Sequence, residues 1–119
     1  MVLVDTSVWI SHFRETSPRL KKLLLDEDVA CHPFIIGELA CGNIENRKEI
    51  LSLLKALPQV ELAEDNEILQ FIENKKLMGL GIGLIDVHLI ASSLLASLPL
   101  WTADKRLRTT ASKFNILYK

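Results

Sequence analysis

The chain has 119 residues, a formal net charge of −1 and a pI near 6.3. This length suits a single domain spanning residues 1–119. The near-neutral charge excludes the global basic field that marks many nucleic-acid-binding proteins, so a site for a polyanion must be a local patch. Hydrophobic residues make up 49% of the sequence, and we expect some of this apolar surface to meet a partner.

The cysteines and the hydropathy pattern indicate in which cellular compartment the protein acts. Cys31 and Cys41 lack CxxC spacing and follow no secretory leader, which predicts two reduced thiols packed in the core of a cytoplasmic protein. The uncharged stretch at 87–103 approaches the length of a membrane span. It contains serines and a proline, however, and we interpret it as a buried helix followed by a buried strand. No contact with a membrane is expected.

Short apolar runs alternate with helical patterns along the chain. The predicted strands are Met1–Val4, Val29–Cys31, Gln59–Leu62, Leu100–Thr102 and, at the edge, Asn115–Tyr118. The predicted helices are Val8–Phe13, Pro18–Leu25, Pro33–Ala40, Arg47–Leu57, Asn66–Met78, Leu84–Ser97 and Lys105–Lys113. This alternation predicts an α/β fold, a three-layer α/β/α sandwich around a central parallel sheet of four to five strands.

Four acidic residues lie in apolar sequence, where an unpaired charge is costly to bury. They are Asp5, Glu38, Asp86 and Asp104. Asp5 and Asp104 directly follow predicted strands, and ligand sites of parallel α/β sheets lie beyond the carboxyl ends of the strands. Glu38 and Asp86 have apolar neighbours three and four residues away, so their helix faces are predicted to point inward.

Convergence of these acids would require a cation. Two carboxylates about 4 Å apart repel by about 4 kcal/mol at an effective dielectric constant near 20. Oxygen ligands without paired Cys or His indicate Mg²⁺ or Mn²⁺, and such ions assist phosphodiester hydrolysis. Taken singly, each acid has a simpler interpretation, because Asp5 and Asp104 could cap helices and Glu38 could pair with a buried arginine.

The segments around the acids resemble the successive acidic motifs of PIN-domain nucleases, and most closely those of VapC toxins from bacterial VapBC toxin–antitoxin pairs. The segments are Val4-Asp5-Thr6-Ser7-Val8-Trp9-Ile10, Gly37-Glu38-Leu39, Asp86-Val87-His88-Leu89-Ile90-Ala91 and Thr102-Ala103-Asp104. The resemblance covers essentially the whole chain, in motif order and in length.

The resemblance implies a homodimeric, Mg²⁺- or Mn²⁺-dependent endoribonuclease that leaves 5′-phosphate and 3′-hydroxyl ends and is inhibited by a VapB-type antitoxin. It assigns catalytic and metal-binding roles to the four acids, Asp5, Glu38, Asp86 and Asp104, with Thr6 or Ser7 and Thr102 as polar support. Some family members carry a further acid after the fourth one, where this chain has Lys105 and Arg106.

Other polar and apolar residues have two interpretations. Phosphate contacts and a solvated helix face are comparably supported for Lys105, Arg106 and Arg108, and a phosphate contact has less support for Arg14. The glycines at 79, 81 and 83 indicate a turn that lets the next helix approach the site. We expect a partner surface that includes Phe13, Leu20, Leu23 and Leu24.

Two other classes of protein compete with the nuclease. A phosphoreceiver-like, Mg²⁺-binding signalling module has a similar length, but such modules carry an acid after the third strand, and Val60-Glu61-Leu62-Ala63 ends without one. A catalytically inert PIN-like protein that only binds RNA or a partner is the second alternative. The presence of all four acids favours the nuclease over it.

Overall fold

The structure is a computed structural model that describes all residues, 1–119. The strands are β1 (Val2–Val4), β2 (Val29–Ala30) and β3 (Leu100–Trp101). The helices are α1 (Thr6–Arg14), α2 (Pro18–Leu25), α3 (Pro33–Cys41), α4 (Arg47–Ala56), α5 (Asp65–Lys75), α6 (Leu84–Ala96) and α7 (Lys105–Lys113). All seven predicted helices are therefore present, with ends within three residues of the predicted ones.

The three strands form a parallel sheet in the order β2-β1-β3. Every residue of β1 is buried, as expected for the central strand of a sheet covered by helices. The chain leaves β1 toward β2 on one side and later returns to β3 on the other. The strand order therefore reverses at β1, and a crevice is expected beside its carboxyl end.

The predicted count of four to five strands is wrong, because the two outer segments form only single bridges. Gln59 pairs with Cys31, and Leu117 pairs with Leu100, both in parallel. The reason is the shortness of the strands that they border. Helix α3 begins at Pro33, directly after β2, and leaves Cys31 as the last residue on that strand that can pair. The α/β class itself, with a parallel sheet flanked by helices, is confirmed.

The core joins the sheet to most of the helices. Its largest fully buried side chains include Trp9 of α1, Ile35 and Leu39 of α3, and Ile90 of α6. The uncharged stretch at 87–103 divides into α6 and β3, as predicted. None of the helices combines the length and the apolar character needed to cross a bilayer.

Two predictions about apolar residues need correction. Both cysteines are free thiols, but only Cys31 is buried, whereas Cys41 is exposed at the end of α3. Leu20 is fully buried and belongs to the core, so it cannot form part of a partner surface. Phe13, Leu23 and Leu24 are partly buried against the same core. Leu25 is the leucine of α2 that reaches solvent, with 75% of its surface exposed.

Two buried histidines lie side by side, His32 at the start of α3 and His88 on α6. His32 is fully buried, and its Nδ1 accepts a hydrogen bond from the Phe34 backbone N–H, which caps α3. Its ring lies 6.2 Å from that of His88, measured between centroids. Burial lowers the pKa of His32 to about 4, and the proximity of His88 adds to this effect. Both histidines are therefore neutral packing residues at pH 7.

This burial predicts an acid-dependent loss of stability. The unfolded chain binds a proton at His32 near pH 6.5, whereas the folded chain binds it near pH 4. Stability should therefore fall between these values, by about 1 to 2 kcal/mol from pH 7 to pH 5 for this residue. In His32→Asn, which keeps a capping acceptor, urea unfolding should show a smaller loss over the same range. An equal loss in both proteins would contradict the role of His32.

Candidate metal centre

Asp5 lies at the N-cap position of α1 but does not cap that helix. Its carboxylate accepts hydrogen bonds at Oδ2 from the hydroxyls of Ser7, at 2.7 Å, and Thr102, at 2.8 Å. Only 6% of the residue is exposed. The simple interpretation of Asp5 as a helix cap is therefore wrong, because its carboxylate turns away from the helix N–H groups toward the end of β3.

The two hydroxyls belong to a network that ties the end of β1 to the end of β3. The Ser7 hydroxyl also accepts from the Ala103 backbone N–H at 3.0 Å, and the Thr102 hydroxyl accepts from the Asp104 N–H at 3.1 Å. Thr102 is fully buried. Ser7 and Thr102 thus support Asp5 and also fix the backbone that carries Asp104.

Glu38 reaches the same edge of the sheet from α3. The Thr6 hydroxyl donates to Glu38 Oε1 at 2.7 Å, which links the first turn of α1 to α3. The prediction of an inward-facing residue is wrong in part, because Glu38 is exposed whereas its neighbours Ile35 and Leu39 are fully buried. The side chain therefore leaves the core at the rim, where a solvent-borne ligand can reach it.

Asp86 lies in the first turn of α6, and Asp104 is the N-cap residue of α7. The Gly83 backbone N–H donates to Asp86 Oδ2 at 3.1 Å, and the Leu107 N–H donates to Asp104 Oδ1 at 2.9 Å. Asp104 therefore does cap α7, as its simpler interpretation holds. The cap occupies Oδ1, and no hydrogen bond is formed at Oδ2.

The negative charges of the acids influence the pKa of two of them, Glu38 and Asp86. Burial raises the pKa of Glu38, the Thr6 hydrogen bond opposes the rise, and the negative charges of Asp5 and Asp86 add to it. Burial also raises the pKa of Asp86, a backbone N–H opposes this, and Asp5 and Asp104 add to the rise. Glu38 therefore lies within electrostatic range of Asp5 and Asp86, and Asp86 within range of Asp5 and Asp104, while their shared role in metal binding stays a prediction.

No basic side chain neutralises this cluster. The one ion pair in the protein joins Lys22 of α2 to Asp26, the residue after that helix, and involves none of the four acids. The interpretation of Glu38 as the partner of a buried arginine is therefore wrong. An acidic cluster of this kind, held by hydroxyl and amide donors and left without a cation from the chain, fits a bound cation.

The acids do not form a closed metal cage, since no three Asp, Glu, His or Cys side chains lie close enough together to hold an ion by themselves. This arrangement suits Mg²⁺ better than an ion that needs a full set of protein ligands. Mg²⁺ keeps several waters and commonly binds through one or two carboxylates together with substrate phosphate oxygens. The oxygen donors present at this edge therefore fit a hard divalent cation.

The four basic residues that are predicted to contact phosphate do not form one group in the structure. Arg108 donates from Nη1 to the Thr102 carbonyl at 3.2 Å, and the Arg106 side chain lies against Gly81. Lys105 is exposed in the first turn of α7. Arg14 lies eight residues after Thr6 on α1, about 12 Å along the helix axis. It lines a separate groove of about 660 Å³ beside the loop that joins α3 to α4.

Two contacts at this edge were not predicted from the sequence. One is the Gly83 N–H that orients Asp86, which the spacing of an acid three residues after a helix N-cap could have indicated. The other is the contact between Arg106 and Gly81. It joins residues 25 positions apart, and no local sequence pattern reports it.

The cluster predicts a stability change that a cation should reverse. The raised pKa of Glu38, above its ordinary 4.5, means that its charge destabilises the folded state at pH 7 and that this cost disappears as pH falls below about 4.5. In EDTA at pH 7, Glu38→Gln should therefore melt at a higher temperature than the wild type. Added Mg²⁺ should raise the melting temperature of the wild type more than that of Glu38→Gln.

The matched control is Glu73→Gln, which removes an exposed carboxylate on α5 that makes no side-chain hydrogen bond. It should respond to EDTA and Mg²⁺ like the wild type. An equal response of Glu38→Gln to Mg²⁺ would show that Glu38 contributes nothing to cation binding.

Comparisons with known proteins agree with the motif order. Residues 2–113 match the PIN domain family. The chain is 41% identical over 117 residues to Ribonuclease VapC32 of Mycobacterium tuberculosis, in strains CDC 1551 / Oshkosh and ATCC 25618 / H37Rv, and the alignment covers 98% of this chain and 94% of the relative. The crystal structure of PAE2754 from Pyrobaculum aerophilum shares the fold, with a TM-score of 0.65 at 17% identity over 91% of this chain and 82% of that one. The chain therefore belongs to the PIN-domain family and, within it, to the VapC type.

Proposed function

We propose that this protein is a divalent-metal-dependent endoribonuclease that acts as the toxin of a type II toxin–antitoxin pair. The observation that supports the proposal is electrostatic: the charges of Asp5 and Asp86 act on Glu38, those of Asp5 and Asp104 act on Asp86, and no cationic side chain pairs with any of the four. Membership of the VapC type supports RNA as the substrate, since the Mycobacterium tuberculosis relative is named a ribonuclease.

The four acids are the residues that would hold the cation, which we propose to be Mg²⁺ or Mn²⁺. When bound, such an ion polarises phosphate oxygens and lowers the pKa of a coordinated water. The chain itself provides the orientation. Ser7 and Thr102 fix the Asp5 carboxylate, and the Thr6 hydroxyl fixes that of Glu38. These bonds hold negative charge in a defined geometry before the substrate arrives, which lowers the reorganisation cost of the reaction.

The reaction that suits this edge is hydrolysis of an RNA backbone phosphodiester. A water oxygen bonds to phosphorus, the bond from phosphorus to the 3′-oxygen breaks, and the leaving oxygen takes a proton. The products are a 5′-phosphate and a 3′-hydroxyl. Lys105, Arg106 and Arg108 follow Asp104 on α7, and we assign to them contacts with phosphates next to the scissile bond.

The competing functions receive less support. Membership of the PIN-domain family argues against a phosphoreceiver-like signalling module. An inert PIN-like protein would have no need for acids that raise the pKa of Glu38 and Asp86, because such repulsion costs stability. Cleavage by the purified chain separates the inert alternative from the nuclease.

Asp5→Asn should abolish metal-dependent cleavage while the protein stays folded. The amide oxygen of asparagine can still accept from Ser7 and Thr102, but the charge is lost. We expect the cleavage rate of single-stranded RNA in Mg²⁺ to fall by about a hundredfold or more. The control is Asp28→Asn, which changes an exposed aspartate before β2 and should cleave like the wild type. Unchanged cleavage by Asp5→Asn would refute the assignment of the site.

We assign two protein partners, a VapB-type antitoxin and a second copy of the chain, in the cytoplasm of the host cell. Apolar surface is available for such contacts. Leu94 and Leu95 of α6 are 38% and 56% exposed. They line a shallow groove with Phe71 and Ile68 of α5. We propose that this face contributes to the homodimer, because exposed apolar surface of this kind marks sites of protein association.

Expression in bacteria tests the toxin role. Production of the chain alone should arrest growth, and production together with the product of a small open reading frame adjacent to its gene should restore growth. The Asp5→Asn protein should not arrest growth, because arrest depends on RNA cleavage. Arrest by Asp5→Asn equal to that by the wild type would contradict a mechanism through the acidic site.

A further inference from the structure

The side chain of Arg106 lies across the backbone of the glycine loop that precedes α6. A Cβ atom placed on Gly81 would stand 2.7 Å from both Cδ and Nη1 of Arg106. Real Cβ atoms do not approach other heavy atoms this closely. The arginine can therefore occupy this position only because residue 81 has no side chain.

The guanidinium of Arg106 is free to bind a ligand. It forms no ion pair and no hydrogen bond within the protein, although a guanidinium carries five N–H donors. Arg106 stands two residues after Asp104, and Gly81 stands five residues before Asp86. The contact therefore joins the two segments that carry these acids and sets an unpaired positive charge against the loop that leads to Asp86.

We propose that Gly81 is a positioning residue for RNA binding. It provides the seat on which Arg106 lies, and Arg106, so placed, contacts a backbone phosphate of single-stranded RNA beside the acidic cluster. This inference rests on the proposed function and deepens it, since it assigns one phosphate contact to a guanidinium and explains what holds that group in place. Planar guanidinium groups bind phosphate through two parallel hydrogen bonds, so their orientation matters.

The loop contains its own control. Gly79 and Gly81 both adopt left-handed backbone conformations, with φ of 73° and 76°. An alanine at either position therefore suffers a similar backbone strain. A Cβ on Gly79, however, would meet no atom within 4 Å, whereas one on Gly81 would displace Arg106. A difference in RNA affinity between Gly79→Ala and Gly81→Ala therefore measures the effect of displacing Arg106 and not that of backbone strain.

The test measures binding of a fluorescent single-stranded RNA of mixed sequence by anisotropy in Mg²⁺, with the full chain carrying Asp5→Asn to prevent cleavage. Gly81→Ala should weaken binding by about fivefold to tenfold relative to Gly79→Ala, the loss expected for one charge-assisted contact. The slope of log affinity against log salt concentration should become shallower by about 0.7, the value for one phosphate contact on a single strand. Melting temperatures should fall equally in the two variants.

Arg106→Ala completes the experiment. It should weaken binding and change the salt slope as Gly81→Ala does. In the double variant Gly81→Ala/Arg106→Ala, the loss of affinity should not exceed the loss measured for Arg106→Ala plus the loss that Gly79→Ala shows from backbone strain alone. If the affinity losses of Gly81→Ala and Arg106→Ala were additive, or if Gly79→Ala and Gly81→Ala bound RNA equally well, the positioning role of Gly81 would be refuted. The nuclease assignment would stay intact. A chain that binds no RNA at all would overturn this inference together with RNA as the substrate.

Discussion

Mutual repulsion among carboxylates is the constraint on which the rest of this edge of the sheet depends. Glu38 and Asp86 lie where burial and neighbouring negative charge both oppose ionisation, and the buried Asp5 is one source of that charge. The chain offsets part of this cost with directed donors, the hydroxyls of Ser7 and Thr102 above all. It adds no cationic side chain. Hydroxyl donors hold a carboxylate in place without neutralising it, so the negative charge remains available to an ion from solution.

The parallel sheet makes this arrangement possible with very short strands. β1 and β3 are hydrogen-bonded neighbours, and the Asp5 N–H donates to the Trp101 carbonyl at 2.9 Å. The segments that follow β1 and β3 then enter helices α1 and α7 at the same level of the sheet. Ser7 and Thr102 meet across this turn, so two segments 95 residues apart become one polar network. The contribution of α3 is different, because Glu38 reaches the edge along a helix that packs on α1.

Much of this could be predicted from the sequence, and the failures have identifiable causes. The helices and the four acids follow from periodicity, caps and apolar neighbours, all of which are local. The prediction of two outer strands is wrong because the pairing of Gln59 and Leu117 depends on where the adjacent strands end. Glu38 was placed on a buried face because its i±3 and i±4 neighbours are apolar or small, although Cys41 among them is exposed. Long-range contacts, such as that of Arg106 with Gly81, leave no local pattern.

The positions of the two arginines next to the acids follow from the same electrostatic constraint. An arginine that paired directly with Asp86 or Asp104 would neutralise the cluster and compete with a divalent ion for the same oxygens. Arg108 is instead bonded to the Thr102 carbonyl, and Arg106 lies on Gly81. Arg108 is thus held by a backbone carbonyl and Arg106 packs on backbone without a hydrogen bond, and neither forms an ion pair with the carboxylates. A local site for RNA can exist in this way on a chain whose net charge is −1.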